Sequence, residues 1–280
     1  MNNYLKTNFD LNDNELVSVI DELPLWSAPF GLALLEKINY RKNITALDIG
    51  SGTGFPLFEV AMRLGNSCKL YGIDPWETAV ERIKAKINVY GISNVEMITS
   101  VAENIPLPDT SVDLIFSNNG LNNVTDINSV LNECRRISKP GAQLVFTYNT
   151  NRTMAEFYSV FEEILLKNNL KIEISMMKEH VYQKRKPVEE YVGLLNEHGY
   201  IINEISPAYF EHRYVDGTAM FNHFLIRLAF INSWKEIIPQ EKQNKIFTEL
   251  EEKLNKFASQ HGGLKMTIPF TLIDCIQAGE

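Results

Sequence analysis

Gly50, Gly52 and Gly54 follow directly on the apolar run Ala46-Leu47-Asp48-Ile49, whose one charge is Asp48. Glycines at alternate positions let a backbone take dihedrals barred to side chains and approach a ligand closely. A second acid, Asp74, ends the run Cys68-Lys69-Leu70-Tyr71-Gly72-Ile73-Asp74, where a carboxylate can accept hydrogen bonds from both hydroxyls of a ribose. Together these residues suit the holding of a nucleoside-bearing ligand. Singly, each has a plainer use. Asp48 can cap the following turn, Asp74 can cap a helix that begins after Pro75-Trp76, and the glycines can serve a turn with no ligand.

The loop does not fit the commonest phosphate grips. A dinucleotide G-x-G-x-x-G would need glycine at 55 or 57, which hold Phe55 and Leu57. No Lys-Ser or Lys-Thr pair follows, so the G-x-x-x-x-G-K-[ST] phosphate loop is absent as well.

The elements that must position these residues are legible around them. Pro56 stands where a helix would start after the glycine turn. Val80, Ile83 and Ile87 recur at helical spacing and Gly91 stands where a C-terminal cap belongs. Strands are expected over 94–98, 112–117 and 142–148, and a helix lies between the last two with Ile127, Val130, Leu131, Cys134 and Ile137 on one face. Strands alternating with helices predict an α/β, doubly wound parallel sheet, with its ligand across the carboxyl ends of the strands.

Five blocks in this order resemble class I S-adenosylmethionine-dependent methyltransferases of the type 11 group, which includes the ubiquinone and menaquinone methyltransferases. They are Leu47 to Gly54, Gly72-Ile73-Asp74, Ala102 to Asp109, Ser111 to Asn118, and Arg135 to Gly141. The resemblance covers residues 44 to 150. It implies a Rossmann-like, seven-stranded sheet with an antiparallel last strand, and S-adenosylmethionine as cofactor with S-adenosylhomocysteine as product. By the same resemblance Gly50, Ser51, Gly52 and Gly54 line the methionine part, Asp48 orients the loop or meets the amino group, and Asp74, with Pro75 and Trp76 behind it, holds the ribose. Ala102 offers its N–H to adenine. Many relatives carry an Asp before that alanine to accept from the adenine amino group; here it is Val101, so Glu103 or a backbone carbonyl must accept instead. Asn118 and Asn119 flank the methyl group and the substrate entrance.

The flanks are expected to set specificity: residues 1–40 an N-terminal helical lid, 41–205 the cofactor-binding core, 206–262 a helical cap insertion and 263–280 the final strand. Within the lid a helix is expected over Leu16 to Leu23 and another through Ile38, with Trp26 and Phe30 either near the sulfonium or serving as aromatic staples to the core. Beyond 150, helices are expected over 154–167, 188–198 and much of 217–260, and strands over Lys171 to Met177, Tyr200 to Ile205 and Gly263 to Asp274.

His180 with Lys184-Arg185-Lys186, and His212-Arg213-Tyr214 with Asn222-His223 and Arg227, concentrate cations and imidazoles in an acidic chain. Converging, they would suit a carboxylate-bearing or otherwise anionic small molecule; apart, they are solvated loops and a core histidine. His223, Tyr214 and Arg213 are the candidate catalytic residues, needed as acid or base only where the acceptor keeps its proton until attack.

At 280 residues, 45% of them hydrophobic, the chain is long enough for one large α/β domain and an attached element. A net charge of −8 disfavours nucleic acid as partner. The three scattered cysteines predict neither disulfides nor a metal site. No apolar run spans a bilayer and no secretory signal opens the chain, which places it in the cytoplasm. The function expected is methyl transfer to a small molecule; the alternative is a non-catalytic, cofactor-binding regulator or scaffold, suggested by Val101 and the lack of an obvious base.

Overall fold

The computed structural model describes residues 3–6, 8–21 and 26–279. The expected end of the first helix, at Leu23, lies outside the described residues. Along the chain come α1 (Asn14–Asp21), α2 (Ala28–Leu35), β1 (Thr45–Ile49), α3 (Leu57–Leu64), β2 (Lys69–Ile73), α4 (Glu77–Tyr90) and β3 (Val95–Ile98). There follow β4 (Val112–Asn118), α5 (Ile127–Ile137), β5 (Ser138–Asn149), α6 (Ala155–Lys167), α7 (Lys171–Lys184), α8 (Val188–Glu197) and β6 (Tyr200–Tyr214). Last are α9 (Gly217–Asn222), α10 (Phe224–Ala229), α11 (Ile231–Glu236), α12 (Gln240–His261) and β7 (Leu264–Gln277).

The seven strands form one sheet in the order β3-β2-β1-β4-β5-β7-β6. The first five run parallel, and β7 pairs antiparallel with β5 from Gln143 opposite Ile276 to Asn149 opposite Phe270. The near-continuous apolar strands follow from burial on both faces. On one face Leu47, Ile115, Phe146 and Ile273 pack with α5 and α8 through Leu131, Tyr191 and Leu195. On the other Ala46, Leu70, Phe116 and Leu272 pack with α2, α3 and α4 through Leu34, Val60 and Ile83. Caps set the helix ends where the sequence asks for them. Asp126 accepts from the Asn128 N–H at 3.0 Å to start α5, and Gly91, at φ 66°, closes α4 in the left-handed region.

The chain groups into two compact units. The sheet unit comprises Asp10–Thr150, Lys186–Ala208 and Phe270–Glu280; the helical unit comprises Met1–Phe9, Asn151–Arg185 and Tyr209–Pro269. The helical unit has an aromatic core of its own. Phe157 stacks on Trp234 at 4.0 Å, Tyr4 stacks on Phe221 at 4.9 Å, and the Trp234 indole donates to the Tyr158 hydroxyl at 3.1 Å.

Two expectations are corrected. Lys171 to Met177, expected as a strand, is the start of α7, although Lys-Ile-Glu-Ile alternates in polarity. The alternation marks no buried sheet face: Ile172 is 75% exposed, and the residue α7 buries is Met177. A tight turn through Asn169, at φ 57°, joins α6 directly to α7, and a lone strand there would have left its amides without partners. The second correction is length. Residues 206–214, expected to begin a helical region, continue β6, so His212, Arg213 and Tyr214 stand on extended backbone.

Among the described residues no helix is long and apolar enough to cross a membrane. Cys68, Cys134 and Cys275 are free and buried.

Candidate cofactor site

β1 carries Asp48 to the interior and ends in a turn that only glycine fits. Gly50 lies at φ +76°, and a Cβ there would stand 3.0 Å from the Gly120 Cα. Gly120 is equally confined, since its Cβ would come 2.5 Å from the Ile49 carbonyl oxygen, which also accepts from the Ser117 hydroxyl at 2.8 Å. The ends of β1 and β4 thus touch through bare backbone. Gly52 differs. It is at φ +51°, and a Cβ built on it meets nothing within 4 Å. Gly54, at φ +107°, packs against the Phe58 ring, and the buried Ser51 turns its hydroxyl to the Asp48 backbone carbonyl at 3.3 Å.

Asp74 ties this turn to the end of β2. One of its oxygens accepts from the Gly52 N–H at 2.8 Å and the other from the Trp76 N–H at 2.8 Å. Pro75 is exposed and the Trp76 indole donates to the Leu11 carbonyl at 2.7 Å. Lys86 of α4, not singled out from the sequence, donates to the Thr53 carbonyl at 2.7 Å and pairs with Asp21 of α1, which Arg82 also meets at 3.0 Å. Only the helical spacing of α4 hinted at it. Phe30, with Trp26 5.7 Å away, packs 4.8 Å from Phe270 and is fully buried.

Asp48 is the outlier. It is wholly buried, and neither carboxylate oxygen has a hydrogen-bond partner among the described residues. Burial pushes its pKa up to about 8, the Ser51 hydroxyl opposing and the nearby Asp74 charge adding to the rise.

Beyond β3, Ala102 is buried while Val101 is 47% exposed. Glu103 accepts from the Thr125 and Asp126 N–H groups at 2.7 and 3.1 Å, holding the approach to α5. At the end of β4, the Asn118 amide donates to the Ser27 carbonyl at 3.1 Å and its oxygen accepts from Thr147 at 3.1 Å. Asn119, at φ 59°, accepts from the Asn149 N–H at 3.0 Å and from Asn122 at 2.9 Å. Asn122, Asn149 and the Tyr148–Tyr191 ring pair, 4.3 Å apart, were not read from the sequence. The Asn118-Asn119-Gly120 turn signal was their only local sign.

Every cofactor residue named from the sequence therefore lies in the sheet unit, around the carboxyl ends of β1 to β4. The catalytic candidates lie in the helical unit. Tyr214 and His223 meet edge to face at 5.5 Å, and the Tyr214 hydroxyl stands 3.4 Å from His212 Nδ1. Burial lowers the His223 pKa and raises that of Tyr214 to about 12. Arg213 is not part of this group: its side chain is 77% exposed and pairs with Glu211 at 2.8 Å.

Residues 40–206 match the family model of a methyltransferase domain, more than half of the chain. The chain belongs to this methyltransferase family. It is 31% identical over 128 residues to a demethylmenaquinone methyltransferase of Geobacillus stearothermophilus, covering 46% of this chain and 55% of that protein. The chain thus spans about half the length of the curated relatives it matches. Among solved structures the methyltransferase fold is shared with the YcgJ protein of Bacillus subtilis (TM-score 0.56, 17% identity, 90% of this chain and 98% of that one). It is shared also with a SAM-dependent methyltransferase of Aquifex aeolicus (TM-score 0.51, 24% identity, 69% and 91%). The chain therefore carries an S-adenosylmethionine-dependent methyltransferase domain. Its residues fit that cofactor: the donors that Asp48 lacks are of the kind an amino acid ammonium supplies, and Gly52 leaves open the space its side chain would fill.

Proposed function

We propose that the chain transfers a methyl group from S-adenosylmethionine to a small-molecule acceptor. The observation that carries this is Asp48, a buried carboxyl group beside a glycine turn with no hydrogen-bond partner among the described residues. Such a group costs stability unless a ligand meets it. In this reading Asp48 and the amides of Gly50, Ser51, Gly52 and Gly54 receive the methionine part, Asp74 and the Trp76 turn the ribose, and Ala102 the adenine. When bound, the cofactor supplies a methyl group on a sulfonium, open to in-line displacement. What the protein adds is positioning, worth roughly 7 to 11 kcal/mol where the reacting atoms are held in line. Asn118 and Asn119, locked by Ser27, Thr147 and Asn149, offer rigid groups at the end of β4 for that task.

The helical unit is assigned to the acceptor. There His223, kept neutral by burial and with Nδ1 unpartnered among the described residues, is the group suited to take a proton, with Tyr214 beside it. A second reading, a cofactor-binding protein without turnover, is favoured by one observation. Val101 cannot accept from adenine, and one Glu103 oxygen is already engaged by two amides. Calorimetric titration with S-adenosylmethionine and with S-adenosylhomocysteine tests the common part: micromolar binding is expected, and absence of both by folded protein overturns it. Methyl transfer to compounds of a metabolite extract, followed with labelled cofactor, then separates enzyme from binder.

A further inference from the structure

α7 ends at Lys184, and the next residue, Arg185, is 7% exposed. Its guanidinium carbon stands 5.9 Å from the centre of the Tyr158 ring. Its Nη1 is shut off from solvent without a hydrogen-bond partner, and no carboxylate among the described residues forms an ion pair with it. Guanidinium does not shed its proton on burial, so this is a fixed positive charge inside the helical unit. The Tyr158 face offsets part of its lost hydration. It leaves Nη1, one arm of the fork that distinguishes arginine, without an acceptor among the described residues.

The positive field reaches a neighbouring imidazole. His180, half-buried on α7, is held below its ordinary pKa by burial and by the charges of Arg185 and Lys184, with Glu236 opposing. Tyr158 also lines a cavity of about 380 Å³ bordered by Asn151, Arg152, Met177, Lys178 and Tyr182, a size that suits a small molecule. Lys178 pairs with Glu162 at 2.7 Å, whereas Arg185 has no such counterion. A guanidinium kept for structure alone is ordinarily satisfied by acceptors around it. One left without an acceptor, on the face of a tyrosine that lines a cavity, is suited to an oxyanion, which a guanidinium can grip through two parallel bonds.

We propose that Arg185 is the anion seat of a small-molecule site in the helical unit, and that the compound bound there carries a carboxylate or phosphate group.

The test uses the full chain, with Arg185→Met and Arg185→Lys. Thermal melting is followed against inorganic phosphate and, separately, acetate, each with chloride at matched ionic strength. At least one of the two is expected to raise the wild-type midpoint saturably beyond the chloride control, and which one does identifies the oxyanion. Arg185→Met abolishes the rise, and Arg185→Lys, lacking the fork, weakens binding about tenfold. Without anion, Arg185→Met melts at or above the wild type, because an unpaired buried charge has been removed. No saturable rise with either anion, or a rise that survives in Arg185→Met, overturns the proposal. So does an anion-free Arg185→Met that melts well below the wild type, the mark of a structural strut on Tyr158. The two readings fail separately: loss of S-adenosylmethionine binding by the wild type removes the methyl-transfer reading, while the anion seat stands or falls on the melting shifts alone.

Discussion

Among the described residues, the sheet unit and the helical unit each bury an acidic or basic side chain with no ion-pair or hydrogen-bond partner for a sealed polar atom, and the charged forms of the two have opposite sign. In the sheet unit it is the carboxyl group of Asp48, beside a turn with glycines at alternate positions, where the Gly52 amide is held by Asp74. In the helical unit it is the guanidinium of Arg185, beside an aromatic ring contributed by another helix. The first is an arrangement of backbone, the second of side chains. A backbone arrangement has one sequence solution, glycine at set positions; a side-chain arrangement has many. That is why one region displays its chemistry in its sequence and the other does not.

The largest effect should come from removing the acid that holds the backbone arrangement together. Asp74→Ala loses the bonds to Gly52 and Trp76 along with any made to a ligand, and hydrogen bonds to a charged group are worth about 1.5 to 3 kcal/mol each. Affinity for S-adenosylmethionine should fall on the order of 100-fold by calorimetry, while circular dichroism shows the fold retained. An unchanged affinity would break the assignment of this region.

Next in size is a contrast between two glycines in one turn. Gly50→Ala must fit a Cβ 3.0 Å from Gly120 at φ +76°, so it should destabilise by about 1 to 3 kcal/mol and lower the melting midpoint. Gly52→Ala, at φ +51° with open space around its Cβ, should cost only about 1 to 2 kcal/mol of backbone strain. Its loss should appear in cofactor binding. If both variants lose stability alike and Gly52→Ala binds normally, the open space at Gly52 is not the ligand's.

The limits of the sequence follow the same division. The five parallel strands, the αL cap at Gly91 and the acids at the ends of β1 and β2 were legible, because periodicity and glycine placement report local backbone. α7 was misread, since Ile172 and Ile174 alternate like a strand but Ile172 faces solvent. An exposed apolar residue carries no information about period. β6 runs to Tyr214 because a sheet neighbour extends it, and pairing partners are not written in the strand itself. The Lys86 bridge between Asp21 and Thr53, the Asn119–Asn122–Asn149 cluster and the Tyr158–Arg185 contact all join residues distant in sequence.

A smaller effect, in stability against pH, sharpens the comparison of the two buried groups. Asp48 titrates at about 8 in the fold against an ordinary 3.8, so between those values the folded chain holds a proton that the unfolded chain has lost. Its contribution is fully present below 3.8 and is lost as pH rises through about 8. Ligand-free wild type should therefore lose on the order of a few kcal/mol relative to Asp48→Asn between about pH 5 and pH 9, read from melts of both proteins. S-adenosylmethionine should shrink that difference, because a cationic partner favours the ionised acid. Equal pH slopes for the two proteins would mean that Asp48 is not the unsatisfied group its burial makes it.

His223 should give the shallowest slope, and its sign is opposite. Burial lowers its pKa below the ordinary 6.5, so the unfolded chain takes up a proton first as the solution is acidified. Its contribution is present above 6.5 and is lost as pH falls through the folded value. His223→Gln should flatten part of the acid limb of the melting curve and leave the alkaline limb, set by Asp48, unchanged. His180 shares the direction and will keep some acid slope in that variant. An acid limb as steep in His223→Gln as in the wild type would mean that burial does not hold this imidazole below its ordinary pKa.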